Sequence, residues 1–199
     1  MTRGFSRLRR DDLLKTACEV ISARGFGHTR TLDIAREAGV SQALLFYHFE
    51  SKDHLFAQAF AYAARRDIEA LAKLERSGGS ALDRLRALLR LHSPTGSAKS
   101  WRLWIDAWAE SMRSTDLEET TRRLDLRWQE AFQAIVEDGV AAGQFVCPDP
   151  EGTTWRLLSL SNGLAVQVTV HKKVLPRRRV AELLRTAAAT ELGLSPEDL

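Results

Sequence analysis

Apolar positions recur at helical spacing along the whole chain, and no stretch sustains the period-two alternation of a half-buried strand. Leu13, Ala17, Val20 and Ile21 share one face of a first helix. Gly25 stands where a left-handed C-terminal cap belongs, and Phe26 follows as its hydrophobic companion. A short second helix is predicted from Thr31 to Ala38, with Thr29 or Thr31 as N-cap, Asp33 in the first turn and Gly39 as the stop. Ser41 caps an equally short third helix reaching Phe49. Ser51 caps a long fourth one carrying Leu55, Phe56, Ala59, Phe60 and Ala63.

Gly78-Gly79 is the clearest break, after which Ser80 restarts a helix that reaches His92. Residues 93–100 form a polar loop with Pro94 and Gly96, and Ser100 opens a Trp-rich helix ending near Arg113. Asp116 with Glu119 three positions on makes a capping-box start for a helix that runs to Ala142 and stops at Gly143. Asp149-Pro150 pairs an N-cap with a proline at the first helical position and opens a helix to Lys172. A last helix follows Pro176 and ends at Gly193. The pattern predicts an all-α fold of about nine helices without internal repeats.

Chemistry enters at residues 29–56, TRTLDIAREAGVSQALLFYHFESKDHLF. Two helices that cross steeply need a small residue at the contact, and Ala35 is there. The tight turn between them needs positive φ, which Gly39 supplies. The second helix needs an inward aliphatic anchor, Leu45, with Ile34, Ala38, Val40 and Phe49 completing the seal. Together these are the demands of a helix-turn-helix.

The run from Thr29 through DIA, AGVS and YHF to Ser51-Lys52 resembles the DNA-binding head of the TetR family of bacterial regulators. The resemblance implies a first helix that braces the motif, a third that enters the major groove, and a fourth that links head to body. It implies a head at residues 1–53 and an effector-binding and dimerisation domain at 54–199. The sequence departs from the usual pattern at Gln42-Ala43 and Glu50, and it has Phe46 where many relatives place a phosphate-binding tyrosine. Tyr47 or His48 would have to substitute for that hydroxyl.

Sorted by chemistry, phosphate candidates are Thr29, Thr31, Tyr47, His48, Lys52 and the arginine arm Arg3, Arg7, Arg9 and Arg10. Ser41 and the free amides of the third helix add hydrogen bonds. Base-reading candidates are Gln42, which can bond an adenine edge bidentately, and Ala43 and Leu44, which can pack on a thymine methyl. Leu44 could instead turn inward beside Leu45, and Arg9 and Arg10 could pair with Asp11 and Asp12.

In WRLWIDAWAESMR, Trp101, Trp104, Ile105, Trp108 and Met112 fall on one face, while Arg102, Asp106, Glu110 and Arg113 fall on the other, with Arg102 and Asp106 as an i,i+4 pair. The tryptophans suit either core packing or a ligand pocket that Trp128, Phe132, Trp155 and Asn162 would complete, so Trp104, Trp108, Trp128, Trp155 and Asn162 are the candidate effector contacts. W-x-x-W-I-D-x-W-A-E, the Gly139–Phe145 stretch and NGLA at 162–165 are similar to the body of the BetI-like branch of the family, which includes regulators responsive to choline. Many of those members carry an acid where Asn162 stands. Leu157, Leu158, Leu160, Leu164 and Val168 on one late helix, and Val180, Leu183, Leu184 and Ala187 on the next, offer apolar faces. In the family this pair makes a four-helix bundle with its copy, so a homodimer is expected.

Composition narrows the field. With 44% apolar and 28% charged residues the chain reads as a soluble, cytoplasmic protein, and it has no apolar run long enough to span a membrane. Net charge is +3, and residues 1–53 hold nine Lys/Arg against seven Asp/Glu. Four of those nine lie in the first ten residues with no apolar stretch after them, which suits a polyanion rather than a secretory leader. Cys18 and Cys147 fit no metal or redox spacing, and the five histidines form no His-x-x-x-His pair. No nucleophile elbow or phosphate loop appears, so neither an enzyme nor a cofactor is expected. The expected partners are a palindromic operator in double-stranded DNA, a small-molecule effector and a second copy of the chain. The expected role is that of a repressor, released when effector binding shifts the spacing of the two heads.

Overall fold

A computed structural model describes residues 10–94, 101–171 and 174–199. Among these residues there are nine α-helices and no strand. They are α1 (Arg10–Arg24), α2 (Thr31–Ala38), α3 (Gln42–His48), α4 (Lys52–Glu75), α5 (Ala81–His92), α6 (Trp101–Ser111), α7 (Thr115–Ala141), α8 (Pro150–Val170) and α9 (Arg177–Leu192). A single 3₁₀ turn, Pro196–Asp198, was not expected from the pattern. The arm residues Arg3, Arg7 and Arg9, the loop positions 95–100 with Ser100, and Lys172-Lys173 lie outside the described residues.

Most helix starts and stops follow the local chemistry. Ser41, Ser80 and Asp149 accept backbone N–H bonds at the starts of α3, α5 and α8, and Ser51 does so for His54 in α4. Two starts differ from expectation. At α2 the N-cap is Arg30 rather than a threonine, and Asp33 reaches back to accept the Arg30 N–H at 3.0 Å. At α7 the capping oxygen is that of Ser114, which accepts from Leu117, so the helix begins one residue before Asp116.

The chain divides into two compact units, residues 1–65 with 102–123 and residues 66–101 with 124–199. The first has a core of fully buried Leu13, Ile21, Phe26, Ile34, Leu45, Phe49, Leu55 and Phe60. Phe26 meets Phe56 and Phe60 edge-on at 5.7 and 6.4 Å, and Trp104 meets Phe60 at 4.9 Å. Edge-to-face rings add to the burial of their area.

In the second unit Leu85, Leu88, Phe132, Ile135 and Val136 are buried, and Leu164 of α8 clusters with Val180 and Leu184 of α9. Leu160, Val168, Leu175 and Leu183 pack around that cluster. Arg156 ties α8 to α9 through two bonds to Glu191, at 2.9 and 2.7 Å. The guanidinium holds the Glu191 carboxyl below its ordinary range. Gly139 is required by a close approach: a Cβ there would lie 2.0 Å from Cδ2 of the buried Phe145 ring.

Candidate nucleic-acid interface

The short pair α2–α3 is locked by the residues that crossing helices demand. Ile34, Ala35, Leu45 and Phe49 are all buried, and Gly39 takes φ +66° in the turn. Val40 N–H returns to the Ala35 carbonyl at 2.9 Å, closing α2 before α3 begins. With Leu45 and Phe49 turned inward, helical geometry directs the intervening residues away from the core. Ser41, Gln42, Ala43, Phe46 and Tyr47 are exposed, with Tyr47 the most open at 81%, while Leu44 and His48 are half-buried.

Gln42, Ala43 and Tyr47 therefore present donors, acceptors and apolar contact surface from one accessible helix, with Ser41 as its N-cap. Gln42 Nε2 donates to Thr31 Oγ1 at 2.8 Å, which joins the first turns of α3 and α2. That bond pairs two of the predicted contact residues. Tyr47 and His48 rings meet edge-on at 5.2 Å. Lys52 is exposed at the start of α4, and its ammonium lies 4.9 Å over the Phe56 ring. Arg10, the first described residue of the arm, sits over Phe49 at 5.0 Å and bonds Gln58 at 3.3 Å.

Thr29 is placed differently from the other phosphate candidates. It is buried, and its hydroxyl donates to the Gly25 carbonyl at 2.6 Å. A hydroxyl sealed into a turn braces that turn instead of facing a duplex.

The candidate effector residues fall in different surroundings. Trp104 is buried between Phe60 and Trp108, its ring 5.8 Å from the latter, in the aromatic core of the first unit. Met112, expected on the same face as the tryptophans, is 77% exposed, and Leu103 and Ala107 are buried instead. Asp106, expected on the face opposite the tryptophans as an i,i+4 partner of Arg102, accepts a bond from the Phe26 N–H at 2.8 Å. In the second unit Trp128 is buried and meets His92 at 4.8 Å. Trp155 is half in solvent. Asn162 is half-buried, and its Oδ1 is shut off from solvent without a hydrogen-bond partner among the described residues.

His92 was not singled out by its sequence. It ends the series Ala81, Leu85, Leu88, His92, whose spacing of four, three and four is that of a buried stripe. The ring is enclosed by Trp101, Trp128 and Phe132, at 5.2, 4.8 and 6.0 Å. Its Nδ1 is 3.0 Å from Ser161 Oγ. Burial pushes its pKa down to about 4, so the ring is neutral at physiological pH. Cys18 is half-buried with its thiol donating to the Ala59 carbonyl, and desolvation pushes that thiol up to about 12, too high for a reactive thiolate.

Among the described residues no cluster of metal-ligating side chains occurs and no helix is long and apolar enough to cross a membrane. Residues 13–59 match the model for bacterial regulatory proteins of the tetR family. Residues 81–193 match that for the C-terminal part of BetI-type transcriptional repressors. The HTH-type transcriptional regulator BetI of Stenotrophomonas maltophilia is 27% identical over 128 residues, covering 63% of this chain and 65% of that protein. BetI of Agrobacterium fabrum is 34% identical over 125 residues, covering 61% and 58%. The matched stretch thus spans less than two thirds of either relative. Among solved structures, a transcriptional regulator from Saccharomonospora viridis in complex with choline is 26% identical, with a TM-score of 0.81 over 90% of this chain and 95% of that one.

Proposed function

The chain belongs to the TetR family of bacterial regulatory proteins, with a BetI-type C-terminal region, and from that premise we propose that it is a cytoplasmic, dimeric repressor of transcription. Residues 1–53 bind the operator, and residues 54–199 bind an effector and a second copy of the chain. The observation that carries this reading is the exposed Gln42–Tyr47 face of a helix whose other side, Leu45 and Phe49, is fully buried. Gln42, Ala43 and Leu44 read base edges, while Thr31, Ser41, Tyr47, His48 and Lys52 hold phosphates.

One seven-residue helix spans too few base pairs for a specific site, so two copies related by a two-fold axis read two half-sites. Pairing uses α8 and α9, whose partly buried Leu160, Val168 and Leu183 and exposed Val170, with exposed Val174 in the turn between the helices, extend the apolar surface.

The effector is a small molecule, in keeping with the choline bound by the S. viridis neighbour. Within the second unit, Asn162 is the contact we favour: a buried oxygen without a donor among the described residues is satisfied by a ligand's N–H or O–H, and the adjacent Ser161 bonds His92, whose ring meets Trp128. No catalytic or cofactor role is assigned.

Fluorescence anisotropy on a duplex enriched by the protein from a random pool tests the reading. Affinity falls steeply between about 50 and about 200 mM salt if several phosphates are held. Binding that ignores salt, or that does not distinguish the enriched duplex from random sequence, refutes it.

A further inference from the structure

The turn between α1 and α2 is held from outside itself. Gly25 N–H closes α1 on the Ile21 carbonyl at 2.7 Å, and Thr29 N–H and Oγ1 return to the carbonyls of Phe26 and Gly25. The Phe26 amide lies between them and is answered by neither. Its N–H donates to Asp106 Oδ2 at 2.8 Å, a side chain eighty residues further on, in the middle of α6.

The fit around this carboxylate is close. A Cβ on Gly25, which already takes φ +86°, would lie 3.1 Å from the same Oδ2. Glu110, one turn along α6, brings an oxygen to 3.9 Å from where a Gly27 Cβ would be. A carboxylate beside the C-terminal end of α1 faces the negative pole of that helix, which disfavours it there. The charge-assisted bond to Phe26 is the compensation the structure offers.

That turn leads directly into the reading helices. Buried Thr29 is followed by Arg30, the exposed N-cap of α2, and Gln42 bonds Thr31, so the position of Phe26 is carried to the start of α3. We propose that Asp106 is a positioning residue for DNA binding, a clamp by which α6 fixes the pose of the α2–α3 pair. The proposal rests on the DNA-binding reading above.

The test uses the full-length protein, the duplex enriched by the wild type, and the same duplex with one base pair inserted between its half-sites. The ratio of the two dissociation constants measures how firmly the heads are held. In the wild type the insertion is strongly disfavoured. In D106A the ratio falls by about tenfold, the value of one charge-assisted bond. D106N keeps an acceptor oxygen at the same reach and retains most of the wild-type ratio.

A purely structural defect weakens binding to both duplexes in proportion. An unchanged ratio in D106A therefore overturns the clamp, and so does D106N behaving as D106A. Should D106A fail to fold, D106S, too short to reach Phe26, takes its place. A wild-type chain that enriches no duplex refutes the DNA-binding reading and the clamp with it, whereas an unchanged ratio in D106A refutes the clamp alone.

Discussion

Lowering the pH from 7 to 5 should destabilise this protein through one side chain. His92 ordinarily titrates at 6.5, but in the folded chain burial holds it at about 4. A buried base whose folded pKa is depressed costs nothing above its unfolded pKa. Below it, the unfolded chain takes up a proton that the native chain refuses, so stability falls between pH 6.5 and about 4. Applying the two pKa values at the two pH values gives a loss of about 2 kcal/mol between pH 7 and pH 5.

The carboxylates with depressed pKa, Asp33, Asp83 and Glu191, lose their contribution in the same direction but only at more acid pH, starting from ordinary values of 3.8 to 4.5. The window from 7 to 5 therefore isolates the histidine. The assay is urea denaturation at fixed protomer concentration, because dimerisation couples stability to concentration. Wild type and His92→Phe are compared at each pH. The variant keeps an aromatic ring against Trp101, Trp128 and Phe132 and gives up the titration. Its stability should change by less than about 0.5 kcal/mol across the window. Equal pH dependence in both proteins refutes the assignment, and a wild-type curve flat from 7 to 5 refutes the burial of the ring.

Gly139→Ala should destabilise by about 2 kcal/mol, since strain against the buried Phe145 ring outweighs the gain in helix propensity; combining it with Phe145→Leu should recover part of the loss. Thermal melting checks both, and a stabilised Gly139→Ala would show that the ring moves aside freely. Gln42→Ala should weaken operator binding by about 1–3 kcal/mol and relax preference at one base pair. Footprinting that finds affinity and preference unchanged would remove Gln42 from the reading face.

Much of this architecture was legible because its signals are local. Ala35, Gly39 and Leu45 lie within eleven positions, Ala35 and Leu45 dictated by the packing of adjacent helices and Gly39 by the positive φ of the turn between them. Ser41, Ser80 and Asp149 announce their helices from one residue away. The misplaced starts are local competitions: Thr29 is drawn to the Gly25 carbonyl, leaving Arg30 as cap, and Ser114 stands just before the acid that the capping-box pattern favoured.

What the pattern could not give is pairing across the chain. Asp106 shares a helical face with charged neighbours and pairs in sequence with Arg102, whereas its partner in the fold includes a backbone amide eighty residues away. The tryptophans of α6 share a stripe in sequence, yet Trp104 belongs to the aromatic core with Phe60, a contact that periodicity alone leaves open. His92 could have been found, since its spacing continues a buried leucine stripe. Its polarity concealed it.

If two copies of one exposed helix read a duplex, enrichment of binding sites from a random pool by the purified protein returns inverted half-sites whose centres are about one helical turn, about 34 Å, or a multiple of it apart. Recovered sequences without two-fold symmetry, or no enrichment over the starting pool, would contradict that reading.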